Sequence, residues 1–461
     1  MYLYDLPTTG SVSFVDLCID RSLDKAYTRH ISEATQARAN LRGVLKDSKR
    51  TDHGEKDFLS LVKLIEEYLP YIQSIINCFA HDEIGITGEP TFSWRSTLSA
   101  NIFNNSPRMD VPGLYADYAF SLLTYGFALC NLAHITVNSV GGYEQNRAIT
   151  DVERRAKEEK LNVALQFLCR ASGVFTYLSE TVLPEWETNR GTTPNFQKPP
   201  DLSREVSNAL AKMSLADAQT IAIRRLLSKS AYDSNVSPGP PLPPSHRPPP
   251  LLAKLHLECA NYYSSARTLA MSLGSKEVSG NLRKYLSNQA TMHSALSHKW
   301  LGVDAGEKGG SDKAGDAIAF MQCAKKELEE LKDGGKLVSI GSAEKEKEEK
   351  WKDRINTELA SVSSFLKYYK KMNDTVHFQP VPSQQDVQAK IPNGILAIAA
   401  KPYVPPSPAF GPGSIEYTRR KTEQLEIAAR SSSDVSDNHG IAPGTMPTSP
   451  TASYAGAGAY F

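Results

Sequence analysis

The residues best suited to chemistry in this chain do not fall into a catalytic pattern. Ten histidines are scattered along it, and none belongs to an H-E-x-x-H zinc helix; His293 and His298 stand five apart, which puts them on different helical faces. There is no G-x-S-x-G nucleophile elbow. Gly334-Gly-Lys336 is the nearest approach to a phosphate loop, but the earlier glycine is missing and Leu337 stands where Ser or Thr would hold magnesium. Asp304-Ala-Gly-Glu307 places acids near a glycine without the spacing of a calcium loop. The charged run from Glu344 to Lys352 reads as a solvated helix face with ion pairs between turns. The sequence therefore predicts no enzyme, no cofactor and no metal.

What the spacing offers instead is binding surface. Ile223 and Leu227 are four apart, and Leu252 and Leu255 three apart, so each pair can share a helical face. Arg224, Arg225 and Lys254 lie beside them and suit an acidic partner helix. The competing explanation is that these apolar residues are ordinary core. Pro240-Pro-Leu-Pro-Pro244 with nearby Arg247 resembles a polyproline ligand of SH3-type domains; the alternative is a solvated loop between two helices. Arg419-Arg-Lys421 is too small a basic cluster for nucleic acid.

The elements that must position these residues are helical. Of 461 residues, 52 are Lys or Arg and 51 Asp or Glu, so no global field favours nucleic acid or an acidic membrane. The six cysteines form no C-x-x-C pair; Cys78, Cys130, Cys169 and Cys259 sit in apolar runs and read as buried free thiols, which fits a reducing, cytoplasmic setting. The opening Met1 to Pro7 has no signal-peptide pattern, and the last residues carry no prenylation box. Tyr118 to Val137 is free of charge and long enough to span a bilayer, but Thr124, Asn131 and His134 interrupt it, and a buried central helix is expected.

Along the chain, Val12 to Cys18 alternates like a short strand, and apolar residues from Phe58 to Ile76 recur at three- and four-residue steps, with Pro70 expected to kink or locally break the run. Pro90-Thr-Phe-Ser-Trp94 reads as one strand of a small hairpin. Helices are expected over 114–137, over 151–183 with Pro184 as the stop, and over 203–230 with Asp201 as cap. The stretch 237–250 holds eight of the 28 prolines and no helix can cross it. Further helices follow at 251–273, 281–300, 313–332 and 343–372, with 302–310 as a glycine-rich break. The folded unit is expected over 1–410 and a Ser/Pro/Gly-rich disordered tail over 411–461. No fixed repeat is visible, although the helical hairpins suggest a solenoid-like middle.

Two stretches carry a family resemblance. Arg170-Ala-Ser-Gly-Val-Phe-Thr-Tyr-Leu-Ser-Glu-Thr-Val-Leu183 and Ser214-Leu-Ala-Asp-Ala-Gln219 place small residues between larger apolar ones. Glycine inside a helix costs up to about 1 kcal/mol relative to Ala, so Gly173 needs a reason, and close approach of a neighbouring backbone is the expected one. Together with Phe92-Ser-Trp94, the Tyr118–Ala133 helix, Leu251–Tyr263 and Asp316–Ala324, these stretches resemble the Bro domain of the Alix family in order and spacing. Leu123-Thr124 depart from it, standing where the family usually carries Phe-Asn.

The resemblance implies an all-α, curved, solenoid-like domain with a small β element. It implies a docking platform for the C-terminal helix of the filament-forming ESCRT-III subunit, with the family's apolar patch carried onto Ile223 and Leu252. The opening Leu6 to Phe14, the proline insertion and Ser297 to Gly306 are similar to a fungal branch of the family. That likeness implies an adaptor linking a plasma-membrane pH sensor and other pH-signalling components to ESCRT-III, so that a transcription factor is proteolytically processed. The alternative is a general endosomal cargo-sorting factor. Either would be cytoplasmic and recruited peripherally, with no membrane insertion of its own.

Overall fold

The computed structural model describes residues 1–50, 56–100, 107–144, 146, 148–189, 197–233, 239–243, 246–272, 278–334 and 342–434. Its helices are α1 (Phe14–Leu17), α2 (Thr28–Arg50), α3 (Phe58–Ala80), α4 (Leu114–Val140), α5 (Asp151–Tyr177), α6 (Leu183–Asn189), α7 (Arg204–Asp233), α8 (Pro249–Met271), α9 (Gly280–Lys308), α10 (Ala314–Asp333), α11 (Ser342–Met372), α12 (Gln384–Gln388) and α13 (Ile415–Asp434). Two antiparallel strand pairs complete it: β1 (Cys18–Asp20) with β2 (Ile84–Ile86), and β3 (Thr91–Arg95) with β4 (Arg108–Pro112).

The long helices pack in sequence, α2 on α3, α3 on α4, α4 on α5, α5 on α7, and so on to α10 on α11. This is the nearest-neighbour stacking of a helical solenoid. At its centre, α4 is almost wholly buried. The charge-free stretch, apolar enough to cross a bilayer, is thus wrapped by its neighbours. Cys78, Cys130, Cys169 and Cys259 are buried free thiols, as expected.

Several local expectations are corrected. Val12 to Cys18 is mostly a helical turn, capped by the Ser13 side chain, and only Cys18 enters a strand. Thr28–Arg50, missed in the sequence, is a helix whose buried stripe is Ile31, Ala34, Arg38, Leu41 and Leu45. The third helix runs on through Pro70 without the local break that was one of the two outcomes expected there. Pro184 does not end the helical path: a π-turn at Leu178–Val182 leads into α6, and Pro184 sits in its first turn, where no intrahelical N–H partner is needed. Asp201 caps nothing; it is buried and accepts from the Ser96 hydroxyl and from Thr97 N at 3.0 Å, while Ser203 receives Val206 N.

The expected break at 302–310 is mostly helix, because α9 runs to Lys308. Gly302 and Gly306 serve close packing there: a Cβ would press on Ala317 and Met321 at the first and on the Tyr369 ring at the second. The segment expected to be a disordered tail begins with α13; residues 435–461 lie outside the described residues.

Beyond α11 the chain turns back and crosses the array in reverse order as a mostly extended strap. Lys390 pairs with Asp316 of α10 at 2.7 Å, and Ile395 N donates to Lys254 O of α8 at 3.1 Å. Lys401 N reaches Cys169 O of α5 at 3.0 Å, and Ala409 N reaches Pro70 O of α3 at 3.2 Å. Phe410 closes on Tyr27 and on His30 of α2.

Both stretches singled out in the sequence hold this strap. A Cβ at Gly173 would collide with the carbonyl oxygen of Lys401, so the helix glycine has the predicted cause. Gln219 donates to Leu255 O at 2.8 Å and to Ile395 O at 3.1 Å, and accepts from Ala397 N at 2.8 Å.

Candidate partner-binding site

The α7 helix places Ile223 and Leu227 on one face by their four-residue spacing. That face lines a cavity of about 560 Å³ shared with α4, α8, α9 and α11. Its apolar wall is Val137, Ile221, Ile223, Leu227, Leu296 and Trp300. Charge surrounds it: Arg224 Nε meets Glu144 Oε1 at 2.5 Å, Lys299 meets Glu358 at 2.7 Å, and Arg354 also lines the wall.

Beneath it lies a buried polar hub. Asp217 accepts from the Tyr263 hydroxyl at 2.6 Å and the Tyr285 hydroxyl at 2.5 Å, tying α7 to α8 and α9. Burial pushes the Asp217 carboxyl up, against the pull of those hydroxyls. His256 and His293 face each other, Nδ1 to Nδ1 at 3.0 Å. Burial drives His256 down to about 3 and His293 well below its usual value, so both rings are neutral near neutral pH.

The predicted site residues are only partly brought together. Ile223 and Leu227 share the cavity wall with Arg224, but Ile223 is 2% exposed and packed in the core, which leaves Leu227 as the accessible apolar member. Leu252 and Leu255 do not line it: they are 0% and 1% exposed and belong to the core, so the face they share is turned inward. Arg224 is held by Glu144, by the Gly141 carbonyl and over the Tyr143 ring, so an acidic partner would meet it as a member of an intact ion pair. Arg225 donates to Asn162 at 3.0 Å, and the Lys254 backbone is covered by the strap. In the proline loop, Leu242 packs against the core and His246 lies against Trp300. An SH3-type reader of Pro240–Pro244 would find that leucine turned away; residues 234–238 and 244–245 lie outside the described residues.

Sequence reasoning missed a second hub. Asp117 accepts from Arg38 Nε and Nη2 at 3.0 and 2.7 Å, from Tyr68 Oη at 2.5 Å and from Trp94 Nε1 at 2.7 Å. All four side chains are buried, and Arg38 also holds Thr9 and the Gly10 carbonyl. The signal was present in Asp117 itself, a charge at the head of an otherwise apolar helix.

Among the described residues no group of three or more His, Cys, Asp or Glu could hold a metal. The class defined here is an all-α array tied by a return strap, with a side-chain-lined recess on α7. The chain belongs to the BRO1-like domain family, whose profile matches residues 11–409. It is 35% identical over 464 residues to the pH-response regulator protein palC of Cryptococcus neoformans, covering 90% of this chain and 94% of that protein. It is 23% identical over 487 residues to palC of Emericella nidulans, covering 91% and 90%. Among solved structures, that of the ALIX BRO1–CHMP4C complex matches with a TM-score of 0.58 at 19% identity, over 89% of this chain and 98% of the other.

Proposed function

We propose that the protein is a non-catalytic adaptor of ambient-pH signalling that receives the amphipathic C-terminal helix of the filament-forming ESCRT-III subunit in the Ile223–Leu227 recess. In that role it helps to assemble a proteolytic processing complex at the plasma membrane, reached from the cytoplasm through partners. The observation that carries this reading is the recess itself, an apolar wall at helical spacing bordered by charge of both signs, which is the surface a helix-in-groove partner needs. The likeness to proteins described as pH-response regulators supports the pathway, and the solved complex pairing ALIX BRO1 with CHMP4C supports the partner class.

The test is binding of the full chain to the C-terminal helix of the ESCRT-III subunit from the same organism, wild type against Leu227→Asp. Leu227 is half-buried and faces the recess, so an aspartate there opposes the partner without entering the packed core. Loss of at least about tenfold in affinity, with an unchanged circular dichroism spectrum, is the expected result; undiminished binding in a folded variant would remove the site from this reading. A deletion phenotype confined to alkaline growth separates this role from endosomal cargo sorting, which would missort vacuolar cargo.

A further inference from the structure

Three side-chain cations border the α7 recess, and only two of them are matched. Arg224 is paired with Glu144, and Lys299 with Glu358. The third, Arg354, enters from α11 and lines the cavity one helical turn before Glu358. Among the described residues, no carboxylate lies within ion-pair distance of it. Its side chain is half-buried, and the guanidinium lies 5.9 Å from the centroid of the Trp351 ring, a contact that steadies a planar cation without neutralising it.

The acids of the recess are all engaged elsewhere. Glu144 and Glu358 have their own partners, and Asp217 is 5% exposed and held by the Tyr263 and Tyr285 hydroxyls. Other charges of α11 turn away: Lys350 and Lys352 pair with Glu346 and Glu348 along the helix, and Asp353 is exposed and does not line the cavity. Arg354 nevertheless acts on the wall electrostatically. Against burial, which pushes the Glu358 carboxyl up, Lys299 and Arg354 hold it below its usual value. Burial pushes the His256 and His293 rings down, and Arg354 adds to that effect.

A helix that covers the recess also takes water away from Arg354. Docking without an acid would leave a desolvated cation unpaired, which is strongly unfavourable. With an acid, the guanidinium can take the carboxylate through two parallel N–H···O bonds. The matched cations offer no such gain, because an acid arriving at Arg224 or Lys299 would have to displace Glu144 or Glu358. We propose that Arg354 sets which helix the recess accepts. The partner must carry an Asp or Glu three or four residues from the apolar side chain that seats against Leu227, on the same helical face, and helices without that acid are turned away. This role rests on the recess being the docking site, and it gives Arg354 the part that the sequence suggests for Arg224.

The experiment is titration of the full chain with a fluorescently labelled peptide spanning the C-terminal helix of the ESCRT-III subunit from the same organism. A second set of peptides has each acidic residue replaced singly by lysine. Arg354→Glu should weaken binding of the unmodified peptide at least about tenfold. Arg354→Gln should weaken it several-fold with an unchanged melting temperature, since it breaks no ion pair. One lysine peptide should bind wild type about as weakly as the unmodified peptide binds R354E, and that peptide alone should recover affinity on R354E. Binding that is lost in Leu227→Asp but undiminished in R354E and R354Q would overturn the role of Arg354 and leave the recess standing. A loss in R354E that no lysine peptide restores would overturn its pairing with an acid. No binding by wild type, or undiminished binding by L227D, would remove the recess and this role with it.

Discussion

The carbonyl oxygen of Lys401 occupies the space where a side chain on Gly173 would begin, although 228 positions separate the two in the sequence. The same strap is gripped six residues earlier by Gln219 through Ile395. The two short stretches that distinguish the sequence are thus two jaws on one segment.

Gly173→Ala should therefore loosen the strap and leave the helix itself intact. Overpacking of this kind costs about 1–3 kcal/mol, to be read as a lowered denaturation midpoint together with new proteolytic cleavage between residues 395 and 403. An unchanged midpoint would mean that the strap does not seat there.

Gln219→Leu keeps the volume and strands Ile395 O and Ala397 N without their partner. A loss of about 1–3 kcal/mol is expected from the unsatisfied groups, with faster amide exchange at Ala397 as the local signature.

Asp117→Asn removes the charge that Arg38 is buried against. Breaking one partner of a buried pair costs about 3–5 kcal/mol, so this single-atom change should be far more damaging in urea titration than any exposed pair, such as Arg29–Glu33.

Leu252→Asp should fail to fold, because its side chain has no exposed surface and a buried unpaired carboxylate is among the most destabilising changes. A folded Leu252→Asp variant that lost only partner binding would contradict the core assignment.

The His256–His293 pair predicts acid sensitivity. The unfolded chain takes up protons near pH 6.5, which folded His256 refuses until about pH 3, so its contribution to stability is complete above pH 6.5 and is lost as pH falls toward 3. Around the pair, Glu358 opposes the downward shift while Arg354 and Lys299 add to it. His256→Gln should flatten the urea midpoint against pH over that window; an unchanged slope would assign the acid loss to carboxylates.

Periodic apolar faces made most of the array legible: the helices from Leu114 to Met372 fall within a few residues of expectation, apart from the run through Gly302 and Gly306 and the continuation past Pro184 into α6. Thr28–Arg50 escaped because one member of its stripe is the charged Arg38, which is buried only by virtue of Asp117. The strap escaped because an extended segment lying in a groove has no period to detect; only its imprint, Gly173, was visible. For the site, spacing put Ile223 with Leu227, which both line the recess, and Leu252 with Leu255, which are both buried. It did not reveal which pair faces the recess, since that depends on how α8 is rotated between α7 and α9.

The strap also sets a clock. Phe410 N reaches the Ser74 hydroxyl across 336 residues, so during synthesis at about 5–20 residues per second the groove on α3 waits roughly 15–70 s for its occupant. For the later part of that interval the nascent helices must also survive with the Gly173 channel open, and a chaperone that shields it until residue 401 emerges would have a defined place to bind and a defined moment to leave.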